Sequence, residues 1–201
     1  MSIVAGGYSF KEVDHQKIPH PVIAVNDALL YLECEVDFVV SMDRLWTEAR
    51  WPIMHERTIP AFLRTAALKR VPYYGCDWVF PFVCDHTTAQ FGDTINHLNG
   101  SNSGTCALNL AYVMKPTELY LFGFDMQPGP KGQRRWYPLA DWEEARGYNG
   151  TKGYKFGQWI NEMILIRSQF NAISTHVFNV SSRSLITAFE IVTPKQLGWS
   201  K

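Results

Sequence analysis

Several stretches of the chain put together residue types that suit chemistry at a nucleotide. Ile3-Val4-Ala5-Gly6-Gly7-Tyr8-Ser9 runs a β-prone segment into paired glycines. Lacking side chains, such a turn lets the backbone approach a ligand closely and offers N–H groups to a phosphate. Its plain alternative is a tight turn and nothing more. Asn99-Gly100-Ser101-Asn102-Ser103-Gly104 leads into the apolar run TCALNLAYVM, residues 105–114. One polar residue is enough to cap a helix. The accumulation of small polar residues at the positive helix end is what a phosphate or ribose cradle requires. Gly123-Phe124-Asp125 places a carboxylate where a strand ends. Such a carboxylate can accept from ribose hydroxyls, or it can cap the next loop. Asn26 and Asp43 close two further apolar runs in the same way. Asp43 and Asp125 are the candidate general bases for activating a hydroxyl acceptor.

Residues 127–155 form the remaining stretch. It scatters Gly129, Gly132, Gly147, Gly150 and Gly153 among Trp136, Tyr137, Trp142, Tyr148 and Tyr154. A segment this long without regular structure is usually functional, and the sequence reads either as a lid over a cleft or, from the same aromatics, as a rigid packed excursion or a subunit interface. Arg134, Arg135, Tyr137 and Tyr154 would stabilise charge on a leaving phosphate. Neither G-x-G-x-x-G nor G-x-x-x-x-G-K-[ST] occurs, which argues against a P-loop kinase. The six His fall in no Ser–His–Asp spacing and read as structural or solvated.

The elements that must hold these residues follow from hydrophobic pattern. Ser2–Ala5, Val22–Val25, Val36–Ser41, Glu118–Phe122 and Thr175–Val180 are short, nearly continuous apolar runs ending in Gly, Asn, Asp or Ser. Strands of that kind belong to a parallel sheet buried on both faces. Trp78–Val83 reads as a further strand, which Pro81 confines to an edge. Pro60–Arg70, Thr105–Met114, Phe156–Phe170 and Ser184–Val192 read as helices, and 91–101 as a polar loop. The fold class is therefore α/β: one Rossmann-like domain over 1–201, an open, mostly parallel sheet with helices on both faces and a lid-like insertion at 127–155. Ligands of such sheets sit beyond the carboxyl ends of the strands. The turn at Gly6–Ser9 and the helix start at Asn102–Gly104 should then meet at one edge.

Composition narrows the choice. The 201 residues carry no net charge, so a dedicated nucleic-acid surface is not expected. The one compact basic run is Lys131-Gly132-Gln133-Arg134-Arg135. Aromatics reach 14%, compatible with a sugar- or base-binding cleft and with a homo-oligomer interface. Cys34, Cys76, Cys84 and Cys106 form no C-x-x-C pair, and Cys76, Cys84 and His86 match no common zinc spacing, so no metal site is expected. Without a leader-like or membrane-spanning run, the expected location is cytoplasmic.

The opening IVAGGYSFKEVDHQKIPHPVIAVNDALLY resembles the start of the bacterial lipooligosaccharide sialyltransferases. There a strand meets a Gly-Asn-Gly-Pro-Ser turn, followed by a Leu-Lys-Glu-Ile-Asp-like segment, a proline, a strand and an Asn. NSGTCALNLAYVMKPTELYLFGFDM resembles the same family's Ser-Gly helix, strand and Gly-Ile-Asp turn, and HVFNVSSRSLITAFEIVTP its closing strand and helix. VDFVVSMD, residues 36–43, is similar to a broader set. That set includes motility-accessory glycosyltransferases and archaeal 6-hydroxymethylpterin diphosphokinases. The resemblance implies a nucleotide-sugar-dependent glycosyltransferase, with a glycan or other hydroxyl compound as acceptor and no cofactor beyond the donor. It also implies that Gly6, Gly7 and Ser9 approach the phosphates and Asn26 contacts nucleotide or phosphate. Ser103 and Gly104 would hold ribose or donor, and Asp125 would line the cleft.

The chain departs from the sialyltransferase pattern in its first turn, which lacks the Asn. It also lacks the family His in residues 148–154, and Gln127 stands where the family has Tyr. Two alternatives accordingly stand beside glycosyl transfer. One is pyrophosphoryl transfer of the diphosphokinase type, which would need Mg²⁺. The other is a nucleotide- or glycan-binding protein without catalysis.

Overall fold

The structure, a computed structural model, describes residues 1–85, 90–133, 135–138 and 155–201. Within them lie strands β1 (Ser2–Val4), β2 (Val22–Val25), β3 (Phe38–Ser41), β4 (Ala61–Arg64), β5 (Val79–Phe82), β6 (Glu118–Phe122), β7 (His176–Val180) and β8 (Glu190–Val192). The helices are α1 (Ala28–Tyr31), α2 (Arg44–Arg57), α3 (Ser103–Met114) and α4 (Phe156–Ala172). All neighbouring strands pair in parallel, in the order β5-β4-β3-β2-β1-β6-β7-β8. The chain thus builds outward from β1 on one side, then returns to β1's other side and builds outward again. A crevice opens where the order reverses, at the carboxyl ends of β1 and its neighbours.

Alternation along each strand sends side chains into two cores. Ile3, Ile23, Val40 and Phe62 face α3 and α4, meeting Leu108, Ala111, Met163 and Phe170. Val4, Ala24, Val39 and Leu63 face the opposite side, meeting Leu29, Trp46, Trp51 and Met54 of α1 and α2. Both faces of the sheet are covered, which is why its strands are apolar almost throughout.

Two expected helices fold otherwise. Within Pro60–Arg70, Ala61–Arg64 is strand β4, and only Thr65–Arg70 coils, as a 3-10 turn. Ala61 and Leu63 are wholly buried between β3 and β5, and that slot overrides the helix propensity of Ala, Leu and Arg. Within Ser184–Val192 the backbone donors go elsewhere. Leu185 N–H donates to the Asp125 carbonyl at 2.9 Å, and Ile186 N–H to Ser184 Oγ at 3.0 Å. The stretch stays extended and ends as β8. Helix α2 has no counterpart in the sequence reading. Asp43 caps its start, and Thr58, in left-handed conformation at φ 49°, ends it. Pro81 does lie on an edge strand, β5. Among the described residues, no helix is long and apolar enough to cross a membrane.

Candidate functional site

The crevice is a cavity of about 530 Å³. Its walls come from the exits of β1, β2, β3 and β6 and from the start of α3, so Gly6 and Gly7 do meet Asn102, Ser103 and Gly104 there. A cavity of that size suits a nucleotide-sized ligand.

The β1 exit is held by the β6 exit. Ala5 N–H donates to Phe122 O, and Gly7 N–H to Gly123 O, each at 2.8 Å. A Cβ on Gly7 would overlap the Gly123 carbonyl, and Gly123 itself sits at φ +69°. Both glycines are thus required by close approach of backbone to backbone. The Gly6 N–H has no partner among the described residues.

Opposite stands the start of α3. Asn102 Oδ1 accepts from Thr105 N–H at 3.1 Å, while Thr105 Oγ1 accepts from Asn102 N–H at 3.2 Å. This reciprocal cap occupies the Asn102 side chain. The Ser103 hydroxyl is also engaged, accepting from Met42 N–H at 3.1 Å and tying α3 to the β3 exit. What the helix start offers a ligand is backbone together with the Ser103 O–H proton, since that hydroxyl only accepts from Met42. The N–H groups of Ser103 and Gly104 have no partner among the described residues, as first-turn donors of a helix should. Gly104 keeps this end low, because a Cβ there would stand 3.3 Å from the Phe124 ring.

The two carboxylates are held differently. Asp125 is 1% exposed and accepts from Ser9 N–H at 2.8 Å, from the Ser9 hydroxyl, and from the Ser181 hydroxyl at 3.1 Å. These bonds make it a strut joining the β1, β6 and β7 exits, and it also lines the cavity. Ser9 is corrected: it is wholly buried under the turn and faces Asp125, not the cavity. Asp43 lines the cavity and caps α2, its Oδ1 accepting from Leu45 N–H at 2.8 Å and Trp46 N–H at 3.2 Å. Its Oδ2 has no partner among the described residues.

Asn26 lines the cavity in left-handed conformation at φ 52°, and its Oδ1 is buried without a hydrogen-bond partner. Beside it is Asp27, which sequence reasoning missed. Its Oδ1 accepts from Trp46 Nε1 and from Arg50 Nε, both at 2.8 Å. The visible signal was the pair Asn26-Asp27 closing an apolar run; only the first was read. Trp46, Phe156 and Trp159 add aromatic surface to the cavity and were also missed.

The expected lid divides. Arg134 and residues 139–154, Tyr154 among them, lie outside the described residues. Residues 135–137 pack down on the β1 turn. Trp136 donates from its backbone N–H to Gly6 O at 3.1 Å and from Nε1 to Ala5 O at 3.0 Å. Its ring stands against Phe10 and His15, at centroid distances of 4.9 and 5.3 Å. Tyr137 stacks on Tyr31 at 4.9 Å and carries Arg135 over its ring, 5.7 Å from the ring centre. Both Arg135 and Tyr137 line the cavity. This part of the segment is a packed wall. Beneath it, His15 is 3% exposed with Nε2 unpartnered, and burial holds its pKa below the ordinary value.

No family model matches the chain, and no curated protein matches it in sequence. Solved structures do match in fold. Sialyltransferase CstII from Campylobacter jejuni, in complex with the substrate analogue CMP-3FNeuAc, is 12% identical with a TM-score of 0.59, covering 96% of this chain and 85% of that one. A variant of the enzyme in complex with CMP is 11% identical with a TM-score of 0.58, covering 94% and 84%. The enzyme with a trisaccharide acceptor and CMP is 13% identical with a TM-score of 0.56, again covering 94% and 84%. The fold is that of these sialyltransferases.

Proposed function

We propose that the chain is a nucleotide-sugar-dependent glycosyltransferase, with the donor in the cavity between the Gly6–Gly7 turn and the start of α3. One observation carries this reading. Gly6, Ser103 and Gly104 line the walls of one cavity at the carboxyl edge of the sheet, and their N–H groups have no partner among the described residues. Such a pair of walls fits an anionic diester or phosphate between them. The likeness in fold to an enzyme solved with CMP and a CMP-sugar analogue supports it.

In this reading Asn26 Oδ1 accepts a hydrogen bond from the nucleotide or sugar. Trp46, Phe156 and Trp159 offer apolar surface to rings. Arg135, with Arg134, and the Tyr137 hydroxyl stabilise the phosphate as it leaves, where charge develops. Asp43, with Oδ2 available, is the base that draws the proton from the acceptor hydroxyl. Glycosyl transfer then breaks the bond from the sugar's anomeric carbon to the phosphate oxygen and forms one to the acceptor oxygen. The engaged state of Asp125 also favours a second reading, a binding protein without catalysis.

A thermal-shift screen with CMP, UDP, GDP and ATP tests the site. A nucleotide at about 100 times its Kd should stabilise by about 2.7 kcal/mol, an upward shift of several degrees. No shift with any of the four would overturn the assignment. Release of sugar from a panel of nucleotide-sugars separates transferase from binder. Turnover of ATP only with Mg²⁺ would point instead to pyrophosphoryl transfer.

A further inference from the structure

Two thiols stand together behind the α3 wall of the cavity, and the proposed transfer uses neither. Cys84 follows β5 and Cys106 lies near the start of α3, their Sγ atoms 3.8 Å apart. Cys84 Sγ donates to Gly100 O at 3.3 Å, and Cys106 Sγ approaches Leu98 O at 3.8 Å. Both thiols therefore brace the segment that feeds the Asn102 cap. Their settings differ. Cys106 is fully buried, whereas Cys84 is half-buried. The bond from Cys106, with the Arg64 charge, outweighs burial and draws the Cys84 pKa below that of an ordinary thiol. The same pairing, with burial, pushes the Cys106 pKa up. Cys34 and Cys76 have no second thiol beside them among the described residues.

We propose that Cys84 and Cys106 form a redox-active dithiol, closed to an intramolecular disulfide by exchange with a low-molecular-weight disulfide. The more accessible Cys84 reacts first. Its thiolate attacks one sulfur of glutathione disulfide, forming a mixed disulfide and releasing one glutathione thiolate, which takes a proton from water. Cys106 then loses its proton to water and its sulfur attacks that of Cys84, expelling the second glutathione. Two protein thiols are oxidised and one glutathione disulfide is reduced to two thiols. A disulfide needs sulfurs about 2.05 Å apart, so the two Sγ atoms must draw together. Cys84 is on a connecting segment, outside helix and strand, and its side chain makes that movement. The product ties the β5 exit to α3, and both braced carbonyls lose their thiol donors.

The test uses the folded, reduced chain in glutathione mixtures of rising disulfide content, up to glutathione disulfide alone. Remaining thiols are alkylated, and the protein is cleaved on the amino side of aspartate. Cuts before Asp77, Asp85 and Asp93 put Cys76, Cys84 and Cys106 on separate peptides. The expected result is a cross-linked Cys84–Cys106 peptide pair, with Cys34 and Cys76 alkylated. Cys106→Ala, which leaves a small apolar side chain in the buried slot, should retain one glutathione on Cys84. Cys84→Ser should leave Cys106 unmodified. The proposal is overturned by alkylation of both thiols at every mixture, by glutathione persisting on Cys84 in the unaltered chain, or by pairing through Cys34 or Cys76.

Discussion

Gly7 and Gly123 stand so close that the N–H of the first donates to the carbonyl of the second at 2.8 Å, leaving no room for a side chain on Gly7. Gly7→Ala must push the β1 and β6 exits apart. We expect a loss of about 1–3 kcal/mol from the crowding alone. Nucleotide-induced stabilisation should fall with it, because Gly6 moves with Gly7. Thermal unfolding with and without nucleotide measures both, and an unchanged melting temperature would contradict the packing described.

Asp125 is the second point of strain on substitution. Ser9→Ala removes the hydroxyl donor to its buried carboxylate but leaves the backbone N–H donor in place. The cost should be about 1–3 kcal/mol, as for other buried groups left short of a partner. Ser181→Ala should cost less, since its hydroxyl lies farther away, at 3.1 Å. If Asp125 were instead the catalytic base, Asp125→Asn would abolish turnover while leaving stability nearly unchanged. We expect stability to fall in that variant as well.

The pattern of apolar runs made most of the sheet legible, because strands buried on both faces have little room for polar residues. It failed where context outvoted local preference. Ala61–Arg64 has good helix formers but fills a sheet slot, and Ser184–Val192 spends its donors on the Asp125 turn. Helix α2 stayed hidden because Pro52 within it reads as a breaker in the sequence and its Asp43 cap reads equally well as a site carboxylate. At the cavity, sequence brought together Gly6, Gly7 and the start of α3 but not the partners that hold their neighbours. Nothing in the spacing of Ser9 and Asp125 reveals that they satisfy each other across 116 residues.

His15 gives the fold a pH dependence. Burial, the largest cause, with the Lys201 charge behind it, outweighs Glu33 and Asp14 and lowers its pKa from 6.5. The unfolded chain therefore binds the proton more readily than the folded one. Stability from this group is fully present above pH 6.5 and is lost as pH falls toward the folded pKa. Unfolding measured from pH 8 down to 5 should show this decline, and His15→Phe should flatten it while keeping the stack on Phe10. A decline of equal size in both proteins would assign it to other groups.

Trp136 joins that aromatic cluster to the β1 turn through Ala5 O and Gly6 O. Trp136→Ala should destabilise by about 3 kcal/mol, the lower end for a large ring that is not wholly buried. Trp136→Phe keeps the packing and loses the indole donor, and should cost about 1 kcal/mol. Chemical denaturation of the two variants separates packing from hydrogen bond.

Residues Ser103 through Ala111 of α3 are all buried, the polar Ser103, Thr105 and Asn109 among them. Its amide protons should therefore be among the slowest in the chain to exchange with deuterated water, since exposing them requires opening the core. A ligand that docks on its first turn meets donors already immobilised. Little ordering entropy is then left to lose at that end, and affinity there depends on how well the ligand's shape matches a surface that does not adapt.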